Sequence, residues 1–290
     1  MARVVSVAAC QFELKEIDNF DQFTDHVKKL LNKARGADIV VFPELFTLEL
    51  FTTYPDWRKA PVTEFTRIHE FTTPIRVFFA EEAKMRNQYI AAGSHLVKEG
   101  DKFYNVAYLF TPNGSMYTHA KTHIFPDEAK WSTSEGSMMD VISLPLGKIG
   151  FNICYELEIP ECATALAEKG VEMIICPSFT FSSHGFWRVR HCGHARAIEN
   201  QVYIVHCCTV GRVGEPLPYG RGRSSILSPC DSPWAPNGIV IEAEPDVESV
   251  VMVTVNLDLL HVNRKNGAAP TFRDRHRQRK LYRQWRLATE

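Results

Sequence analysis

The sequence holds no C-x-x-C pair. Its eight cysteines (Cys10, Cys154, Cys162, Cys176, Cys192, Cys207, Cys208 and Cys230) are scattered, and several fall inside apolar runs. That spacing gives no support to a structural zinc site. No apolar run approaches the roughly 18 residues of a membrane span, and no basic-then-apolar leader precedes the first strand-like segment. Free thiols in a chain with neither feature point to a reducing, cytoplasmic setting. Net charge is nearly absent too. Lys and Arg number 33 against 34 Asp and Glu, a formal −1 that argues neither for nor against a polyanionic partner. No low-complexity linker or internal repeat interrupts the chain. What remains is 290 residues, 45% hydrophobic and 23% charged, enough for one large α/β domain or two ordinary ones.

The apolar pattern favours one α/β domain with some antiparallel pairing. Val4 to Gln11 reads as a buried first strand. Phe20, Phe23, Val27, Leu30, Leu31 and Ala34 then recur at helical spacing, with Asp18 as the expected N-cap and Gly36 as the stop. Ala37 to Phe42 is a short continuous apolar strand that ends in Pro43-Glu44. Thr47 to Phe71 is aromatic and irregular, and is expected to form a covering loop or lid. Thr72 or Thr73 is expected to cap a helix through Met85, followed by a strand from Tyr89 to Ser94. Asn113-Gly114, between Tyr104–Thr111 and Met116–Lys121, is a hairpin signal.

The chain is organised around Lys148 to Glu161. Ile149, Phe151 and Ile153 alternate as in a half-buried strand, Cys154 falls on a turn, and Pro160-Glu161 suits a helix start. A side chain on such a strand-to-helix turn stands clear of the sheet. Alone, Cys154 reads more readily as a buried core thiol, and Glu44 and Lys121 as solvated groups at strand ends. Together the three carry chemistry. A thiol ionises near pH 8.5, about one to two units above neutrality, so it needs a base. A desolvated carboxylate takes that proton, and a neighbouring ammonium stabilises the oxyanion formed when sulfur adds to carbon.

Phe42-Pro43-Glu44, Lys121-x-His123-x-Phe125 and Cys154-Tyr155-Glu156-x-x-x-Pro160-Glu161 resemble the nitrilase superfamily of carbon–nitrogen hydrolases. Ala195 to Tyr203 and Ser224-Ser225-Ile226 extend the resemblance, which spans residues 3 to 257. The loop after Phe46 and the Cys-Tyr-Glu-Leu-Glu turn look closest to the branch found fused to N-acetyltransferase domains. The resemblance implies a four-layer αββα sandwich that assembles as homodimers. It implies Glu44 as general base, Cys154 as nucleophile and Lys121 as oxyanion stabiliser. Glu128 would position substrate, and the Tyr155 N–H would be the second oxyanion donor. The substrate would be a small amide, hydrolysed through a thioester with no metal or organic cofactor. Pocket walls are expected from Thr47–Phe71, Phe125–Ser134 and Phe179–Phe186, with Phe179 a candidate lining residue.

One position departs from the resemblance. Many amidase members carry Arg two residues before the Pro-Glu; here it is Glu158. Facing the pocket, Glu158 would favour an amide with a cationic group; otherwise it would pair with an arginine among Arg188, Arg190 and Arg196. Residues 1–262 form the expected hydrolase domain and 263–290 a basic tail. From Arg264 to Arg286 nine Lys or Arg meet one Asp, net +8, which leaves about −9 on the rest. That balance suggests an arm lying on its own body or a sister subunit rather than a nucleic-acid patch. Other readings are a nitrilase acting on nitriles, though Tyr155 stands where nitrilases more often carry Trp. A binding protein on the same fold, or a zinc hydrolase using His184, His191, Cys192 and His194, are the remaining alternatives.

Overall fold

A computed structural model describes residues 2–287. The first strand, β1 (Val4–Glu13), sets the layers. Val5, Val7 and Ala9 enter one apolar cluster, while Ala8, Cys10 and Phe12 enter another on the opposite face. β2 (Ile39–Phe42) repeats the division, with Ile39 and Val41 on one side and Val40 and Phe42 on the other. Side chains alternate with period two, and both faces are covered, so β2 reads as an unbroken apolar run and β1 as one interrupted only by Ser6 and Gln11 before Glu13.

The outer cluster on this side is closed by helices. α1 (Phe20–Lys33) buries Phe23, Val27, Leu30 and Leu31. Its N-cap is Asn19, whose side chain accepts the Gln22 N–H, and not Asp18, which instead accepts from the Gln22 side chain. Residues 47–71, expected as a covering loop, are not one. They form three short 3₁₀ helices (Phe46–Thr53, Trp57–Lys59 and Val62–Phe71) whose Phe46, Phe51 and Phe65 are fully buried. The Phe46 ring packs on Phe12, Phe23, Phe42 and Phe79, and Phe51 and Phe65 meet edge to face at 5.0 Å, so the aromatic content signals core rather than lid. α2 (Thr72–Arg86) follows without a side-chain cap; Phe71 holds the N-cap position, and neither Thr72 nor Thr73 does.

β3 (Tyr89–Glu99) runs beyond the expected Ser94. At Gly93 the backbone is left-handed, and a Cβ there would lie 1.9 Å from the Pro43 carbonyl oxygen. Only glycine allows this approach, which lets Ser94 bond both Pro43 and Leu45 and so fixes the chain on either side of Glu44. β4 (Lys102–Phe110) and β5 (Met116–Ala120) form the expected hairpin through Asn113-Gly114.

A short β6 (Thr133–Ser134) adds to β4 before the chain enters the second half. That half contains β7 (Val141–Leu144), β8 (Gly147–Phe151), α3 (Tyr155–Glu158), α4 (Pro160–Glu168), β9 (Met173–Ser178), α5 (Ser183–Asn200) and β10 (Tyr203–Val210). β11 (Ser225–Leu227), β12 (Ile239–Glu242) and β13 (Ser249–Asn256) complete the strands. One sheet is ordered β13-β1-β2-β3-β4-β5 and the other β12-β11-β10-β9-β8-β7. Each has three parallel strands at its centre with antiparallel partners outside. The sheets join where Phe12 and Glu13 pair with Thr209 and Val210. Between them the Cys207 thiol donates to the carbonyls of Cys10 and Val41 at 3.2 Å each. α1 and α2 cover the first sheet, and α4 and α5 the second, giving the four-layer αββα sandwich.

α6 (Asp258–Asn266), α7 (Thr271–Arg277) and α8 (Arg279–Leu287) carry the basic segment. Arg264 donates to the carbonyls of Val171 and Asn200, Arg275 to the side chains of Thr164 and Asn200, and Arg279 to Glu168. These contacts hold it along α4 and α5 of its own chain.

A buried imidazole ties three parts of the first layer together. His26 on α1 meets Glu49 at 2.9 Å through Nδ1 and Glu248 at 2.5 Å through Nε2. With a carboxylate on each ring nitrogen the ring is an imidazolium. Burial pulls its pKa down, but the bonds to Glu248 and Glu49 outweigh this and leave it raised. Its contribution to stability is therefore full below about pH 6.5 and is lost as pH rises through the elevated folded value. His26→Leu leaves Glu49 buried without its cation. We expect a loss of about 3 kcal/mol at pH 6, shrinking at higher pH, as read by urea unfolding across pH 5–9.

Candidate active site

Three strand ends converge in one cavity. Glu44 follows β2, Lys121 follows β5, and Cys154 follows β8; Glu44 and Lys121 are almost wholly buried, and Cys154 is buried. Lys121 Nζ lies 2.7 Å from Glu44 Oε1 and also bonds Glu128 Oε2. Asn105, inside β4, donates its amide to both carboxylates, at 3.0 Å to Glu44 and 2.8 Å to Glu128. The second Glu44 oxygen accepts the Phe179 N–H at 2.8 Å. Thr209 holds the Glu44 carbonyl at 2.6 Å. Each carboxylate is thus fixed by donors from the first sheet and, for Glu44, from the end of β9.

Cys154 sits in a sharp turn with φ +45° and ψ −99°, a conformation that costs a non-glycine residue free energy. The surroundings hold it there. Its N–H donates to the Pro177 carbonyl at 2.9 Å, and its sulfur accepts the Ser178 hydroxyl at 3.2 Å. The fully buried Glu156 clamps the turn from below. It accepts the Ile153 N–H at 2.6 Å, the Thr122 N–H and hydroxyl at 2.7 Å each, and His119 Nε2 at 2.9 Å. Burial pushes the Glu156 carboxyl up, but these donors outweigh it and hold its pKa down. One anion therefore ties the Cys154 turn of the second sheet to the Lys121 strand end of the first.

The electrostatics follow from burial. Desolvation and the Glu44 carboxylate push the Cys154 thiol well up, against the pull of Lys121. Desolvation also raises Glu44, with Lys121 opposing it. Lys121 is pulled down by desolvation, but Glu128 and Glu44 outweigh this and hold it firmly protonated. At neutral pH the resting site is an ammonium between carboxylates beside a neutral thiol.

The cavity encloses about 180 Å³. Besides the residues above it is walled by Phe125, Trp131, Tyr155, Phe179 and Phe181, and bordered by Asp127, Glu158 and Arg188. The Tyr155 N–H opens α3 and is one of the donors that a helix start leaves free. Glu158 does both things considered for it: it lines the cavity, and its Oε2 accepts from Arg188 Nε at 3.2 Å. Of the three segments expected to wall the pocket, 125–134 and 179–186 contribute. Residues 47–71 do not, because their rings face the core; Phe65 only backs Trp131, 5.3 Å between centroids. Asn105, Ser178 and Glu156 went unmarked as site residues in the sequence. Glu156 lay within a quoted motif, whereas a single amide inside an apolar strand carries no local signal.

A double-sheet sandwich with this buried thiol, carboxylate and ammonium cavity has the architecture of hydrolases that act on carbon–nitrogen bonds. Residues 6–265 match the carbon–nitrogen hydrolase family, and the chain belongs to it. It is 38% identical over 278 residues to the probable hydrolase YhcX of Bacillus subtilis, covering 94% of this chain and 54% of that protein. The chain thus spans about half the length of that relative. The omega-amidase NIT2 of Danio rerio is 28% identical, with 88% of this chain and 89% of that protein covered. Among solved structures, Saccharomyces cerevisiae Nit3, a member of branch 10 of the nitrilase superfamily, superposes with a TM-score of 0.73. Its identity is 22%, with 90% of this chain and 93% of that chain covered. Among the described residues no helix is long and apolar enough to cross a membrane.

The ion cluster makes a prediction independent of turnover. Lys121→Met leaves Glu44 and Glu128 facing each other without a cation, a loss of about 3–5 kcal/mol at pH 7. Both carboxyls would then titrate higher when folded than unfolded, so the folded state binds extra protons and the variant gains stability as pH falls toward 5. Urea unfolding at pH 5 and 7 reads this; equal losses at both would contradict the cluster.

Proposed function

We propose that this site hydrolyses small amides through a thioester on Cys154. The observation that carries the reading is the strained Cys154 thiol sharing one cavity with the Glu44–Lys121–Glu128 cluster. Glu44 is the general base. Its pKa is raised by burial, which brings it nearer to that of a thiol and makes proton transfer less uphill.

The Cys154 proton passes to Glu44 as sulfur bonds to the amide carbon. The carbonyl electrons move to oxygen, where Lys121 and the Tyr155 N–H receive the charge. An ammonium has three donors, and two on Lys121 are engaged by Glu44 and Glu128, so one is free for this oxygen. The oxyanion collapses, the carbon–nitrogen bond breaks, and the Glu44 proton leaves on ammonia or an amine. Water then attacks the thioester and gives its proton to Glu44. The carbon–sulfur bond breaks, the proton returns to sulfur, and a carboxylic acid departs. Glu128, held by Lys121 and Asn105, positions the substrate amide. The raised Cys154 pKa fits this sequence, because the thiolate is needed only at the moment of attack.

The relative named omega-amidase supports the amide reading. The test is ammonia release from a panel of small amides and nitriles. Wild-type protein should release ammonia from amides, and Cys154→Ala from none. Glu44→Gln should fall by about 10²–10⁴. Asn105→Ala, which frees both carboxylates on one side, should fall by roughly tenfold or more in kcat. Release that persists in Cys154→Ala would overturn the reading.

A further inference from the structure

The cavity has two charged zones. In the buried zone Lys121 sits between Glu44 and Glu128, a net −1. Toward solvent lie Asp127, Glu158 and Arg188, with Lys130 paired to Asp127, a net of zero. Four carboxylates against three cations leave the walls at −1 before any substrate enters. Excess negative charge in a small desolvated space is unfavourable unless a cation joins it.

Glu158 is the carboxylate placed to receive one. It ends α3, one turn beyond Cys154, and its carbonyl is held by Arg196 at 3.1 Å. Its side chain is only 14% exposed, against 50% for Arg188. Arg188 occupies Oε2 and orients the group, while Oε1 accepts no bond among the described residues. Asp127 is engaged by Lys130 at 2.5 Å. The wall nearby is aromatic. Phe125 lies 5.7 Å from the ring of Tyr155 and 6.4 Å from that of Phe181, and Phe179 is 5.0 Å from Phe181. Ring faces attract cations as carboxylates do.

We propose that the substrate is an amide carrying an ammonium or guanidinium at the end remote from the scissile bond, received by Glu158 and this aromatic wall. The proposal rests on the amidase reading above and names its substrate class. A substrate with a remote carboxylate would enter a cavity already at −1, where both cations near solvent, Arg188 and Lys130, are committed to Glu158 and Asp127.

The test uses three amides of matched length: 4-aminobutanamide as cation, pentanamide as neutral, and succinamate as anion. Expected kcat/KM for wild-type protein favours the cation over the neutral amide by roughly tenfold, the worth of one bond to a charged group, and over the anion by more. Glu158→Gln should collapse the cation-to-neutral ratio by about the same roughly tenfold factor. A preference for succinamate, or an unchanged ratio in Glu158→Gln, overturns the proposal. Calorimetric binding of the three amides to Cys154→Ala separates the two readings. Cation-selective binding without turnover in wild type would defeat the amidase reading and keep the subsite. Equal binding of all three would defeat the subsite whatever the turnover.

Discussion

The structure depends on one buried ammonium. Lys121 has left water altogether and is held by two carboxylates that have left it too. Isolated, any of the three charges would cost several kcal/mol to bury. Together, with Asn105 and the Phe179 N–H supplying the remaining donors, they form a fixed set with a net −1. That residual charge, and the dryness that makes it felt, keep the neighbouring thiol protonated. The same arrangement leaves a base and an oxyanion donor already in place, so little reorganisation is needed when charge develops.

Holding those groups in register is the work of the two-sheet seam. Lys121 belongs to the first sheet and Cys154 to the second. Glu156 bonds the Ile153 backbone of the second and Thr122 and His119 of the first, so the strained turn and the lysine strand end move as one body. Gly93 performs a similar task for Glu44 by letting β3 press against Pro43. A strained nucleophile turn survives only where the surroundings over-determine it, and here four hydrogen bonds to one carboxylate and two more at Cys154 do so.

Much of this was legible in the sequence because its signals are local. Apolar runs ending in Pro43-Glu44 and in the Cys154 turn mark strand ends, and Asn113-Gly114 marks a hairpin. Pro160 at the head of α4 is equally local. Long-range facts were not legible. The rings of 47–71 looked like a lid, since composition cannot say which way a ring faces; the full burial of Phe51 and Phe65, edge to face, placed them in the core. Asp18 and Asn19 are both good caps, and only the geometry at Gln22 separates them. Asn105 is one polar residue in an apolar strand, and its importance arises from two carboxylates distant in the chain. Glu158 satisfied both alternatives open to it, pocket and ion pair, because α3 and the start of α5 meet at the cavity edge.

The central claim is that Cys154 attacks while Glu44 carries its proton. It is tested most directly by intact-mass spectrometry of acid-quenched protein within the first turnovers on a hydrolysable amide. The account predicts a mass increase equal to the acyl group, localised to Cys154 on wild-type protein, and its absence at the same early times in Glu44→Gln. An adduct on another residue, or an acyl-Cys154 that forms as fast without the Glu44 carboxylate, would contradict it.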